Sequence, residues 1–208
     1  MKKVLLILVV LGVVGGFLYY RSYVKSPKYS LLQAHEAMQE HDMAQFEKYV
    51  NVEQVTGSLV DQLSSHQSLI SALNPGSLVM KQALRYMKPQ LSTVARKEIQ
   101  KYVETGDFKK DPNAPKKKVD ISLSGLWHKV VSDSAAFKGI EYVNEQGEKA
   151  LVGLAFTQPR YDTTMVLEVK MQNQGDYWQV VELTNTSELL KHTSRLQKQN
   201  ALKKLRLQ

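Results

Sequence analysis

Residues Val4 to Tyr20 (VLLILVVLGVVGGFLYY) form a run of seventeen positions without a charged or strongly polar side chain. Lys2 and Lys3 precede it, and Arg21, Lys25 and Lys28 follow it. A helix that crosses a bilayer needs roughly 17–25 such residues, so the run is long enough to span. No other stretch of the chain is comparably apolar. The expected frame is therefore an N-terminal transmembrane helix with juxtamembrane segment (1–28), followed by a folded body outside the bilayer.

A secretory signal peptide is the competing reading of the same run. Its best small-residue cleavage site, Val14-Gly15-Gly16, would leave Phe17-Leu18-Tyr19-Tyr20 at the new N-terminus. Tyr19, Tyr20 and Tyr23 fit better as an interfacial belt on a retained helix. A retained anchor is thus expected over a cleaved one. The basic residues on the two sides nearly balance, but a three-residue tail is easily kept in the cytoplasm. We expect the N-terminus inside and the body outside, at the bacterial inner (cytoplasmic) membrane. With no cysteine in the chain, a lipidated cysteine anchor and disulfides are both excluded.

The net charge of +8 invites a nucleic-acid reading until it is mapped. Residues 1–28 carry five basic residues and no acid, and residues 189–208 carry six and no acid. Residues 29–188 hold seventeen basic and twenty acidic residues, so the folded body is slightly acidic. That argues against a nucleic-acid face on the domain. The charges around the anchor read as topology determinants and headgroup contacts.

Helical spacing runs from Tyr29 to Val50, with a break at His41-Asp42 where Asp42 is placed to cap the next helix. A further helix is expected over Val52 to Leu73, with Val55, Leu59, Leu63 and Ile70 as its stripe, ending at Asn74-Pro75-Gly76. Leu78 to Val103 reads as helix interrupted or kinked at Pro89. Gly106 to Lys118 (GDFKKDPNAPKKK) reads as a charged loop.

The period then changes to two. Val119, Ile121 and Leu123 alternate with polar residues, and strands follow at Lys138–Val143, Ala150–Phe156, Met165–Met171 and Tyr177–Leu183. Asn144-Glu145-Gln146-Gly147 and Gln172-Asn173-Gln174-Gly175-Asp176 supply hairpin turns, and Pro159 a longer connection. A basic, helical tail is expected over 189–208. The predicted fold class is α+β, with helices packed on one face of an antiparallel sheet of about four to five strands, in a single domain over 29–188.

The segment SPKYSLLQAHEAMQEHDMAQFEKYVNVEQV (Ser26 to Val55) resembles a family of bacterial envelope proteins of unknown function with one N-terminal membrane helix. The matching positions are Ser26, Pro27, Tyr29, Asp42, Tyr49 and Val50. Asn74-Pro75 and Ala95 to Asp107 are similar to its middle, and Tyr177 to Leu183 (YWQVVEL) to its closing strand. The resemblance spans about residues 26–185 and implies architecture and place, not chemistry. More distantly, a helix pair followed by a sheet ending in Trp-x-Val-x-x-Leu resembles the nuclear-transport-factor-like (cystatin-like) cone. That fold hosts isomerases, ligand-binding modules and scaffold subunits of secretion machines, so it does not choose between them.

Residues with chemical capacity form no recognisable constellation. His35, His41, His66, His128 and His192 include no pair at the i, i+4 spacing of a helical zinc site, so no metal is expected. Glu36 and Glu40 share a helix face, which reads as solvated. Gly57-Ser58 and Ser124-Gly125 lack the nucleophile-elbow context. Lys109 to Lys117 (KKDPNAPKK) resembles the opening of an HMG box, but continues into ISLSGLW rather than aromatic-rich helices. No catalytic, cofactor or metal residue is expected. Trp127, Tyr142, Phe156 and Trp178 are the candidates to line a concave sheet pocket, against the simpler expectation of core packing. These readings point to a non-enzymatic, membrane-anchored binding domain for a protein partner or small ligand. The alternatives are a scaffold subunit of a secretion or envelope complex, and a cavity enzyme.

Overall fold

The computed structural model describes residues 2–65, 80–106, 136–159 and 162–206. Helix α1 runs Lys2–Val24. Among the described residues no helix is long and apolar enough to cross a membrane. The side chains of α1 are described only from Leu11 onward, so residues 4–10 of the apolar run stand outside that statement.

Short capping signals set the next three helices. Helix α2 (Pro27–Gln39) starts where the Ser26 side chain accepts from the Tyr29 amide at 3.2 Å, with Pro27 in the first turn. Proline is favoured there because the amide it lacks has no intrahelical acceptor. The helix stops at Glu40, and His41 follows with φ of 61°, which turns the chain. Asp42 then caps α3 (Met43–Tyr49), accepting from Gln45 N at 2.9 Å, as its sequence position predicted. Val50 leaves the helix in extended conformation. Asn51 caps α4 (Val52–Ser65) through its side chain, which accepts from Gln54 N at 3.0 Å.

Helix α5 (Met80–Thr105) runs through Pro89 and is not interrupted there. A proline deletes one helical hydrogen bond, and packing of the helix outweighs that loss. Ala95 and Val103 of α5 are buried, and Arg96 grips Glu47 of α3 with two hydrogen bonds, 2.7 and 2.8 Å. The Asn74-Pro75-Gly76 stop, the loop beyond Gly106 and the expected strand at Val119, Ile121 and Leu123 lie outside the described residues.

The sheet is an antiparallel meander in the order β1-β2-β3-β4. Its strands are β1 (Phe137–Gln146), β2 (Lys149–Gln158), β3 (Thr163–Asn173) and β4 (Trp178–Leu183). Each contains the segment predicted by alternation, except that Tyr177 falls just before β4. The β1–β2 hairpin closes at Gly147-Glu148, with Gly147 at φ of 62°. That first central position demands glycine when its φ is positive and the following residue is ordinary. Asn173 Oδ1 accepts from Gly175 N at 2.7 Å and shapes the β3–β4 turn. Both hairpin turns lie at one end of the sheet, joined by a hydrogen bond from Asn173 N to the Glu148 carbonyl at 2.9 Å. The connection at Pro159 lies at the other end.

One sheet face carries the core. Ala150, Val152, Met165, Leu167, Val169, Met171, Trp178 and Val180 are buried there against Val55 and Leu59 of α4. Leu189 and Leu190 of the last helix, α6 (Thr186–Arg206), complete the cluster. Burying each of the valine, leucine and methionine side chains contributes about 1.5–3 kcal/mol. Helix α6 begins three residues before the expected tail helix, and its first turns are the part that packs. Val50 forms a parallel bridge to Val180, and Asn51 N donates to the Val180 carbonyl at 2.9 Å. The resulting fold is α+β with helices on an antiparallel four-stranded sheet.

Candidate functional site

Trp178 and Phe156 both belong to the helix-packed face, and neither opens onto a shared cleft with Tyr142. Trp178 is 3% exposed. Its amide donates to Ser30 Oγ at 2.8 Å and its indole N–H to the Lys25 carbonyl at 2.9 Å. Phe156 packs at the sheet margin, 5.4 Å from the Phe137 ring. Trp127 lies outside the described residues.

Tyr142 is on the opposite face. The register passes from Ile140↔Leu154 to Tyr142↔Gly153, so β1 spends two residues where β2 spends one. Such a bulge reverses which face the later residues occupy. The Tyr142 ring therefore lies over Gly153, and its hydroxyl donates to Glu168 at 2.6 Å. The same carboxylate accepts from the Thr184 hydroxyl at 2.5 Å, and Glu168 N donates to Asn185 Oδ1 at 2.9 Å. The Glu168 hydrogen bond, aided by burial and the carboxylate charge, pushes the Tyr142 hydroxyl up to about 12. A phenol so held is a structural donor at neutral pH, not a proton shuttle.

A second bulge builds a groove that strand alternation alone does not reveal. Val180 pairs with Met171 but Glu182 pairs with Lys170, so Val181 is the extra residue on β4. Glu182 is thereby turned away from the core face and meets the Lys170 ammonium at 3.1 Å. The groove holds about 600 Å³ between α4, Pro89 of α5 and the β2–β4 side of the sheet. Glu53, Asp61 and Glu182 bring acid to its lining, and Lys149 and Lys170 bring base. Its size is that of a ligand site, but ligand pockets are mostly apolar and this one is only a little over half apolar and mixed in charge. The groove fits a polar surface or peptide better than a small apolar molecule.

A third cluster forms where α1 meets the domain. Lys25 Nζ reaches Asp176 of the β3–β4 turn at 2.5 Å. That contact holds the Asp176 carboxyl below its usual range, with Arg21 and Lys48 adding to the positive field. Lys48 sits over the rings of Tyr49 and Tyr177, 5.2 and 5.1 Å from their centroids. Gln179 Nε2 donates to the Glu47 and Lys48 carbonyls, both at 3.1 Å, and so fixes the end of α3 to β4.

The described histidines serve separate local roles. His41 Nδ1 lies 2.5 Å from the Val103 carbonyl and joins the α2–α3 corner to α5. His35 and His192 are exposed, while His66 and His128 lie outside the described residues. Glu36 accepts from Gln33 at 2.6 Å on the solvent side of α2. Among the described residues no three His, Cys, Asp or Glu side chains gather as a metal site would require. No protein-family model, curated protein or solved structure matches the chain.

Proposed function

We propose that the chain is a bitopic membrane protein, N-terminus inside, whose α+β domain is a non-enzymatic binding module outside the cytoplasmic membrane. The exposure of α1 carries this reading. Leu11, Val13, Phe17 and Leu18 are 62, 67, 60 and 59% exposed, on a helix that touches the body chiefly at α2. Apolar surface left in water costs about 25 cal/mol per Å², and a bilayer removes that cost along the whole helix. The tyrosine belt and the basic residues after it supply the interfacial boundary. The likeness of Ser26 to Val55 to a single-anchor envelope family supports the same placement.

Binding is favoured over turnover because the core face is filled by Trp178, Met171, Val169 and their neighbours rather than hollowed. The groove beside Lys170 and Glu182 is the proposed seat of a protein partner, which keeps a scaffold role in an envelope complex as a special case of this reading. A cavity enzyme of the cone-fold kind would need an acid or base in a deep, shielded pocket, whereas the groove's charged groups stand in an open cleft.

The test is a reporter fused after Gln208 together with the mass of the mature N-terminus. An outside body with residues 1–20 retained is the expected result. A cytoplasmic body, or a chain cut near Gly16, overturns the reading.

A further inference from the structure

Several hydrogen bonds tie the foot of α1 to the sheet. The Trp178 indole holds the Lys25 carbonyl, Ser30 holds the Trp178 amide, and Lys25 holds Asp176. Tyr23 and Tyr29 pack edge to face at 5.6 Å across the α1–α2 corner. The chain thus passes from anchor to domain through a clasp, not through a free linker. The clasp lies close to the aromatic belt: Tyr20 and Val24, the last residue of α1 and next to Lys25, are about 6 Å apart along the helix axis, at 1.5 Å per residue. The headgroup layer on one side of a bilayer is roughly 5–7 Å deep. A domain clasped at Lys25 therefore rests its β3–β4 turn against the headgroups.

What that end of the domain presents is chemically suited to the position. Arg21 is exposed, and Lys48 is held over two tyrosine rings beside the turn. Tyrosine rings and basic side chains are the residue types that settle at a membrane surface. Asp176 is the acid in this cluster and is engaged by Lys25. Glu145 and Glu148 of the neighbouring hairpin are exposed at the same end of the sheet, which confines attraction to the α1–α3 side.

We propose that the β3–β4 turn and the end of α3 form a lipid-binding foot, in which Arg21 and Lys48 contact anionic phospholipid headgroups and hold the domain at one angle to the bilayer. The proposal rests on the anchored reading given above, and it adds a partner: the anionic lipid surface itself.

The absence of cysteine makes a direct test available. The full chain carrying Gln174→Cys in the turn, or Thr164→Cys at the far end of the sheet, is labelled with a nitroxide. Each is placed in vesicles of phosphatidylcholine, with or without phosphatidylglycerol. Collision with membrane-dissolved oxygen and with an aqueous nickel chelate reports how near each label lies to the surface.

Position 174 is expected at the surface, more fully with phosphatidylglycerol, and position 164 in water in both. One basic residue at an anionic surface contributes roughly fivefold to association, so Lys48→Gln should reduce the contact by about that factor. Arg21→Gln, outside the folded body, should act in the same direction. A label at 174 that stays in water with both lipids, in a chain that still floats with the vesicles, overturns the foot and leaves the anchor standing. A chain that does not float with either lipid overturns the anchor. Contact that disappears on diluting protein in lipid assigns the surface to a second copy of the chain and also overturns the proposal.

Discussion

Replacing Gly153 by alanine is expected to destabilise the domain through one side chain, Tyr142. A β-carbon built on Gly153 falls 2.7 Å from Cζ and 2.8 Å from Cδ1 of the Tyr142 ring, and nearer still to Cε1. Real β-carbons do not approach carbon so closely, so the ring must leave its place across β2. Leaving, it gives up the hydroxyl bond to Glu168, a bond to a charged group that contributes about 1.5–3 kcal/mol. The cross-strand contact contributes roughly 0.2–1 kcal/mol more. Against this, alanine in a strand gains about 0.5–1 kcal/mol over glycine. The net expectation is a loss of about 2 kcal/mol. In a Tyr142→Ala background the obstacle is gone, and Gly153→Ala should turn stabilising by about 0.5–1 kcal/mol. Urea unfolding of the four members of this cycle, in detergent and followed by tryptophan emission, gives the numbers. A neutral Gly153→Ala, or the same cost in both backgrounds, refutes the reasoning.

Ser30→Ala should cost about 1–3 kcal/mol, because it removes the acceptor of the buried Trp178 amide; a loss below about 0.5 kcal/mol in the same unfolding assay would show that the amide finds another partner. Alkaline stability should report on Tyr142, whose folded value of about 12 lies above the ordinary 10.0. The unfolded chain then releases this proton first, so the contribution is intact below the unfolded value and is lost as pH rises through the folded one. Two units are an upper limit of about 2.7 kcal/mol. Solvent around the partly exposed ring brings this to roughly 1 kcal/mol. Tyr142→Phe should flatten the fall in stability between about pH 10 and 12, and unchanged slopes would count against the hydrogen bond as its cause.

The Asp42 cap and the strands were legible because each depends on a few neighbouring positions. Asp42 marks a helix start by a side-chain acceptor within one turn. The four strands follow from alternation, and Gly147 marks its hairpin. The site residues were less legible because two bulges change the count. Period two puts Tyr142 on the face of Ile140, and Glu182 on the face of Trp178 and Val180. One extra residue between Ile140 and Tyr142, and another between Val180 and Glu182, sends both to the other side, where Tyr142 meets Glu168 and Glu182 meets Lys170. Nothing in the side-chain pattern of IEYV or WQVVEL announces these insertions. The clasp at Trp178 was equally hidden, since its partners lie 148 and 153 residues away in the chain.

That separation decides the order in which the molecule can be assembled. The strands are joined by short turns, so the meander zips by neighbour-to-neighbour pairing with little loop to close. Helices α2 to α4, made first, have their main apolar counterpart in β3, β4 and α6, made last. Val50 waits for Val180, and Ser30 for Trp178. A ribosome adding about 5–20 residues per second leaves the early helices without their sheet for several seconds. Docking of β4, followed by α6, is then the closing event, which completes the core and clamps the segment that follows α1.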